Sequence, residues 1–182
     1  MKVLLGVTGG IAVYKACELV RRLREGGHEV QVVMTDAAQR FVTPMTFEVL
    51  SGRPVGVSLW EGQDPSIEHI RLARWPDVIA IAPATANMLA HLAHGLAGDL
   101  LSTVVLASRS DVPVVLAPAM NTAMWENPLV QRNIETLAAL GGGRRFRCVP
   151  PAEKALACGE VGLGALAEEA RILQAIADAA RG

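Results

Sequence analysis

The chain reads as an α/β protein, with one doubly wound, Rossmann-like, mostly parallel sheet in a single domain. Three observations predict this. Short aliphatic runs recur at 3–8, 29–35, 77–82 and 112–117, with the near-continuous apolar character of strands buried on both faces. Segments of helical character separate them, so successive strands need crossovers and pair in parallel. Aromatic residues make up 4% of the chain against 51% apolar overall, so the core is built from aliphatic side chains.

The elements follow in order. After the strand at 3–8, Gly9-Gly10-Ile11-Ala12 opens a helix over 11–25, which Gly26-Gly27 ends. A strand, a glycine turn and a helix can hold a phosphate on backbone N–H groups at the helix N-terminus. The same residues also suit a plain tight turn. The strand at 29–35 leads into short helices over 36–41 and 44–51. A turn at Gly52-Arg53-Pro54 follows, then a short strand at 55–57. Ser66 is placed to cap a helix over 67–74, with His69 in its first turn.

The strand at 77–82 is expected to close at proline, in Pro83-Ala84-Thr85-Ala86-Asn87, ahead of helices over 88–94 and 99–108. The strand at 112–117 closes in the same way, in Pro118-Ala119-Met120-Asn121. Two strands thus end in Ala-Pro-Ala, a small polar residue and a helix. Small residues there let a flat ring or a phosphate approach the backbone, and Thr85 and Asn87 supply hydrogen bonds. Asn121 either caps the turn at 121–125 or meets a ligand beyond the carboxyl end of its strand.

Asn127-Pro128 starts a helix that runs to 140. A last strand covers 144–149, and its Arg144, Arg145 and Arg147 read as a solvated edge. Gly159, Gly162 and Gly164 make 150–164 hard to hold as helix or strand. It reads as a mobile loop carrying Cys158, the composition of a lid over a site, at about 151–166. A helix over 168–180 closes the sequence.

The net charge of −1 offers no basic field for nucleic acid. Cys17, Cys148 and Cys158 form no disulfide framework, and no Cys/His group has metal-ligand spacing. The N-terminal apolar run is too short for a signal peptide, and no stretch of about twenty residues is uniformly apolar. A cytoplasmic protein without metal, nucleic-acid or membrane partners is expected.

Four elements, in their order and spacing, resemble one family. They are His69-Ile70-x-Leu72-x-x-Trp75, Pro83-Ala84-Thr85-Ala86-Asn87, Pro118-Ala119-Met120-Asn121-x-x-Met124-Trp125 and Leu156-Ala157-Cys158-Gly159-Glu160-x-Gly162-x-Gly164. Together they resemble the flavin-containing cysteine decarboxylases, over nearly the whole chain. The wording of the last element favours those of coenzyme A biosynthesis, which turn 4'-phosphopantothenoylcysteine into 4'-phosphopantetheine. Departures are Pro76, where alanine is usual, and Ala165, where many bacterial relatives have arginine. Many bacterial members are also fused to a synthetase domain.

The resemblance implies FMN, with its phosphate at Gly9, Gly10 and Ile11, and with Thr35 and Ser102 as further phosphate partners. Thr85, Ala86, Asn87, Ala119 and Met120 would line the isoalloxazine. It implies His69 as the base that assists thiol oxidation, since imidazole takes up protons near neutral pH. Asn121 would hold the substrate carboxylate, and Cys158 would return a proton in the reductive step. Oxidising the thiol to a thioaldehyde creates the electron sink that loss of CO2 requires, and reduction of the resulting enethiol leaves no net redox change. The family implies homo-oligomers, as trimers or as dodecamers of four trimers. Alternatives are a peptidyl-cysteine decarboxylase of peptide-antibiotic maturation, a flavin prenyltransferase, and a non-enzymatic flavin-binding regulatory subunit.

Overall fold

A computed structural model of the chain describes residues 1–60, 65–155 and 161–181. The predicted doubly wound sheet is what forms. Strands β1 (Lys2–Val7), β2 (Glu29–Met34), β3 (Val78–Ala84), β4 (Val114–Pro118) and β5 (Phe146–Cys148) lie side by side in the order 2-1-3-4-5. All four pairings are parallel. The order reverses between β1 and β3, so the crevice beyond their carboxyl ends is where such a sheet holds ligands.

Alternate residues of each strand enter different cores. Val3, Leu5, Val32, Ala80, Ala82 and Val115 pack on one face with helices α1 (Val13–Glu25), α3 (Pro44–Ser51) and α9 (Glu169–Ala180). Leu4, Ile79, Ile81, Val114 and Leu116 pack on the other with α4 (Pro65–Arg74), α5 (Ala86–His94), α6 (Leu100–Ala107) and α8 (Pro128–Ala139). Two four-residue helices complete the set, α2 (Asp36–Gln39) and α7 (Thr122–Trp125).

Several expectations are corrected. Pro83 lies inside β3 and Pro118 is the last residue of β4, so neither strand closes before its proline. Proline has no N–H to give, but its carbonyl remains an acceptor, and Pro83 O receives both the amide and the hydroxyl of Thr8. Helix α1 begins two residues late, because Ile11 and Ala12 form a turn in which Val13 N–H donates to Gly10 O at 3.0 Å. Helix α4 begins at Pro65, two residues before the expected start, so Ser66 lies inside it. Only Gly56 of the 55–57 segment joins the sheet, as an isolated bridge to Val33.

The irregular loop expected after 150 contains a hairpin. Strands β6 (Ala152–Ala155) and β7 (Val161–Ala165) pair antiparallel. A ladder needs backbone groups alone, so glycines weaken a strand without forbidding it. Residues 156–160 between them, and Cys158 with them, lie outside the described residues. The arginine edge is also partly structural. Arg145 donates to the carbonyls of Val105 and Arg109 at 3.0 Å and to Ser108 Oγ at 3.1 Å, satisfying carbonyls at the end of α6.

Candidate functional site

Two cavities open at the carboxyl ends of β1, β3 and β4, and they share the wall formed by Gly9 and Thr85. Thr8 builds that wall. Its side chain is buried at 1% exposure, donates from Oγ1 to Pro83 O at 2.8 Å and accepts the Thr85 amide at 2.9 Å. Thr85 in turn caps α5, its hydroxyl accepting Met88 N–H at 3.3 Å. Gly9 admits no side chain, because a Cβ there would stand 2.4 Å from the Cβ of Ala37.

The first cavity, of about 520 Å3, is rich in polar side chains: Thr8, Thr35, Asp36, Ser58, Thr85, Asn87 and Asp99 line it with Leu59, Trp60, Met88 and Leu100. Thr35 Oγ1 is buried beside it with no hydrogen-bond partner among the described residues. A buried hydroxyl left unpaired costs about 1–3 kcal/mol, and Thr35 is on the cavity wall, so its hydroxyl is a candidate partner for an occupant of the cavity.

The second cavity, of about 550 Å3, is more apolar. Gly10, Ile11, Ala86, Ala119, Met120, Asn121, Met124, Gly164, Ala165 and Leu166 are on its walls. Helix α1 enters without a side-chain cap, so the positive end of its dipole is left to other partners. Asn121 caps α7, its Oδ1 accepting Ala123 N–H at 2.8 Å. The capping reading of Asn121 therefore holds, and the same residue lines the second cavity. The bond fixes the amide's orientation.

Strand β7 forms one side of the second cavity and sits unusually close to the chain beneath. Met120 N–H donates to Gly164 O at 2.9 Å. A Cβ on Gly164 would lie 2.2 Å from Met120 O, and one on Gly162 would lie 2.4 Å from Thr122 Oγ1. The glycines that argued against a strand are what let this one dock.

Nine of the ten residues expected to hold a cofactor line these cavities. Thr35 and Asn87 face the first, Gly10, Ile11, Ala86, Ala119 and Met120 the second, and Gly9 and Thr85 both. Ser102 faces neither. It is buried, and its hydroxyl forms a reciprocal capping box with Asp99. His69, half-buried on α4, is likewise on neither cavity's walls. Thr8 and Asp99 were not picked out as site residues from sequence. Asp99 had a signal, the Asp-x-x-Ser spacing of a capping box; Thr8 had only its place before Gly9-Gly10, since its partners are 75 and 77 residues away. Cys17 and Cys148 are free thiols. Burial pushes both up, Cys148 to about 11, so neither is a thiolate nucleophile near neutral pH.

The family model described as Flavoprotein matches residues 1–181. The chain is 47% identical over 176 residues to a probable phosphopantothenoylcysteine decarboxylase of Streptococcus mutans, covering 96% of each. It is 48% identical over 173 residues to the coenzyme A biosynthesis bifunctional protein CoaBC of Vibrio vulnificus, covering 94% of this chain and 42% of that one. The chain thus spans less than half the length of the bifunctional relatives it matches. Among solved structures it is similar to a cysteine-to-serine mutant of PPC decarboxylase complexed with pantothenoylaminoethenethiol, with a TM-score of 0.84 and 33% identity, covering 100% of this chain and 98% of that one. It is also similar to the FMN binding protein AtHal3, with a TM-score of 0.77 and 34% identity, covering 97% and 94%.

Proposed function

The chain belongs to the flavoprotein family, and within it we propose an FMN-dependent decarboxylase that converts 4'-phosphopantothenoylcysteine to 4'-phosphopantetheine. The observation that carries this reading is the pair of cavities divided by Gly9 and Thr85. One is polar with an unpaired buried hydroxyl; the other is apolar and holds Asn121 beneath a glycine-docked hairpin. The 47% identity with the Streptococcus mutans relative, named a probable phosphopantothenoylcysteine decarboxylase, supports the substrate.

The residues present fit a flavin mononucleotide. Thr35 and Asn87 would hold it from the first cavity and Thr85 from the partition, and the turn at Gly9, Gly10 and Ile11, on the second cavity's side, leaves backbone N–H groups and open space at Gly10 for a phosphate. FMN, when bound, supplies a two-electron acceptor that gives the electrons back, so the reaction needs no outside oxidant.

The chain's own residues do the rest. Asn121 offers its amide N–H groups to the substrate carboxylate and fixes the bond that breaks. Ala119 and Met120 keep that wall flat and apolar. The β6–β7 hairpin excludes water from the reacting carbon. His69 takes the thiol proton, and Cys158 returns one after CO2 has left. Because His69 lines neither cavity of its own chain, it completes the site from a neighbouring copy in a homo-oligomer, read here as a trimer or a dodecamer of trimers. Leu96, Leu106 and Leu140 stand exposed around a further cavity of about 410 Å3, which suits burial between copies.

The test is to load the purified protein with FMN, add 4'-phosphopantothenoylcysteine without oxygen, and measure CO2 and 4'-phosphopantetheine. Equal yields of both support the reading. FMN bound with neither product formed would sink it and favour the flavin-binding regulatory subunit.

A further inference from the structure

The second cavity carries one charged side chain among its described lining residues, Lys15. It stands half-buried in the first turn of α1. The carboxylates near it are engaged elsewhere. Glu18, one turn on, pairs with Arg21 at 2.5 Å and Arg22 at 3.0 Å. Glu168 pairs with Lys154 of β6. That pairing holds the Glu168 carboxyl below its ordinary range, with a smaller pull from Lys15 itself, so Lys15 lies within electrostatic reach of a carboxylate already taken. No ion pair joins Lys15 to any acid among the described residues. Its ammonium lies 6.0 Å from the centre of the Tyr14 ring.

A cation that opens onto an otherwise uncharged cavity and has no acid of its own is an anion's partner. Besides the Tyr14 and Thr85 hydroxyls, the cavity therefore offers the Asn121 amide at the end of β4 and the Lys15 ammonium on α1. The substrate class proposed above carries an anion at each end, a carboxylate on the cysteine and a phosphate on the pantothenoyl arm.

We propose that Lys15 binds the phosphate of the substrate and is the residue by which the site distinguishes a phosphorylated arm from one ending in a free hydroxyl. This rests on the decarboxylase reading. A flavin phosphate has the same chemistry, so the test has an arm for each source.

The FMN-loaded native protein is compared with Lys15→Gln, Lys15→Met and Lys15→Arg. Two ligands are used, 4'-phosphopantothenoylcysteine and its dephosphorylated form. Binding is read anaerobically from the flavin spectrum or by calorimetry, and CO2 is trapped in parallel. The native protein should prefer the phosphorylated ligand, and Lys15→Gln and Lys15→Met should cut that preference about ten- to a hundredfold, the range of a charge-assisted contact. In turnover the loss should fall mainly on KM, and Lys15→Arg should restore most of it. Equal weakening of both ligands, or no change in their ratio, overturns the proposal. Loss of FMN retention in both neutral variants also overturns it and assigns Lys15 to the cofactor phosphate. If the ligand preference follows Lys15 but no CO2 appears with the native protein, the phosphate site stands and the decarboxylase reading fails. If the native protein binds neither ligand, both fall.

Discussion

Thr85 donates its backbone N–H to the hydroxyl of Thr8 at 2.9 Å, joining the ends of β3 and β1 across 77 residues of chain. The same hydroxyl donates to Pro83 O at 2.8 Å. One buried oxygen therefore fixes the wall between the two cavities.

Thr8→Val keeps the shape of the side chain and removes both bonds. It should destabilise the protein by about 1–3 kcal/mol, since the Thr85 amide loses its acceptor. FMN retention should fall with it. Urea unfolding and equilibrium dialysis against FMN measure the two effects, and an unchanged affinity for FMN would show that the wall does not position the cofactor.

Thr35→Val should behave in the opposite way. Its hydroxyl has no hydrogen-bond partner among the described residues, so the apoprotein should be as stable as the native one or more so. The loaded protein should bind FMN about tenfold more weakly, the value of one hydrogen bond of about 1.4 kcal/mol. Thermal melts with and without FMN separate the outcomes.

Gly164→Ala places a methyl group where the Met120 carbonyl stands, at 2.2 Å. The neighbour is backbone and cannot rotate away, so β7 must lift. Activity should fall at least about tenfold, while the melting temperature moves little, because the sheet cores do not include this strand. A variant of normal activity would show that the docked hairpin is not needed for turnover.

Stability should decline in alkali through Cys148. Its folded-state pKa is raised to about 11 by burial, above the value of an exposed thiol. The stabilising contribution is fully present below the unfolded pKa and is lost as pH rises toward the folded one. The loss should be at most about 3 kcal/mol between roughly pH 8.5 and 11. Cys148→Ala should flatten the slope of unfolding free energy against pH in that window; an unaltered slope would assign the effect to other groups.

His69 and Asn121 should complement between copies. His69→Asn and Asn121→Asp should each be inactive alone. If each site takes its histidine from a neighbour, mixed oligomers of the two variants should regain a measurable fraction of activity after joint refolding. Light scattering should report an assembly; a monomer, or mixtures that stay inactive, would place both residues in one chain's site.

Much of this was legible in the sequence, for physical reasons. Strands buried on both faces are aliphatic runs such as Val78-Ile79-Ala80-Ile81-Ala82, and no surface signal dilutes them. That Gly9, Thr85 and Ala119 would lie beyond strand ends was legible, because each closely follows an aliphatic run; their cofactor roles came from the family resemblance. The hairpin was not legible, since Gly162 and Gly164 carry no alternation and their role depends on the proximity of Met120 and Thr122. Ser102 read as a phosphate ligand because a serine early in a helix has that chemistry; Asp99 three residues before it claims the hydroxyl instead. Lys15 was passed over because a lysine in an amphipathic helix is ordinarily solvated, and only the third dimension shows what it faces.

The two cavities share the partition at Gly9 and Thr85 and are otherwise lined by different segments. The first is bounded by Val57, Ser58, Leu59 and Trp60, the second by Gly164, Ala165 and Leu166 of the hairpin side. The partition is common ground: the Thr8 hydroxyl holds it at Pro83 and at Thr85, so whatever moves that one side chain moves a wall of both cavities, and their shapes are coupled through a single buried oxygen.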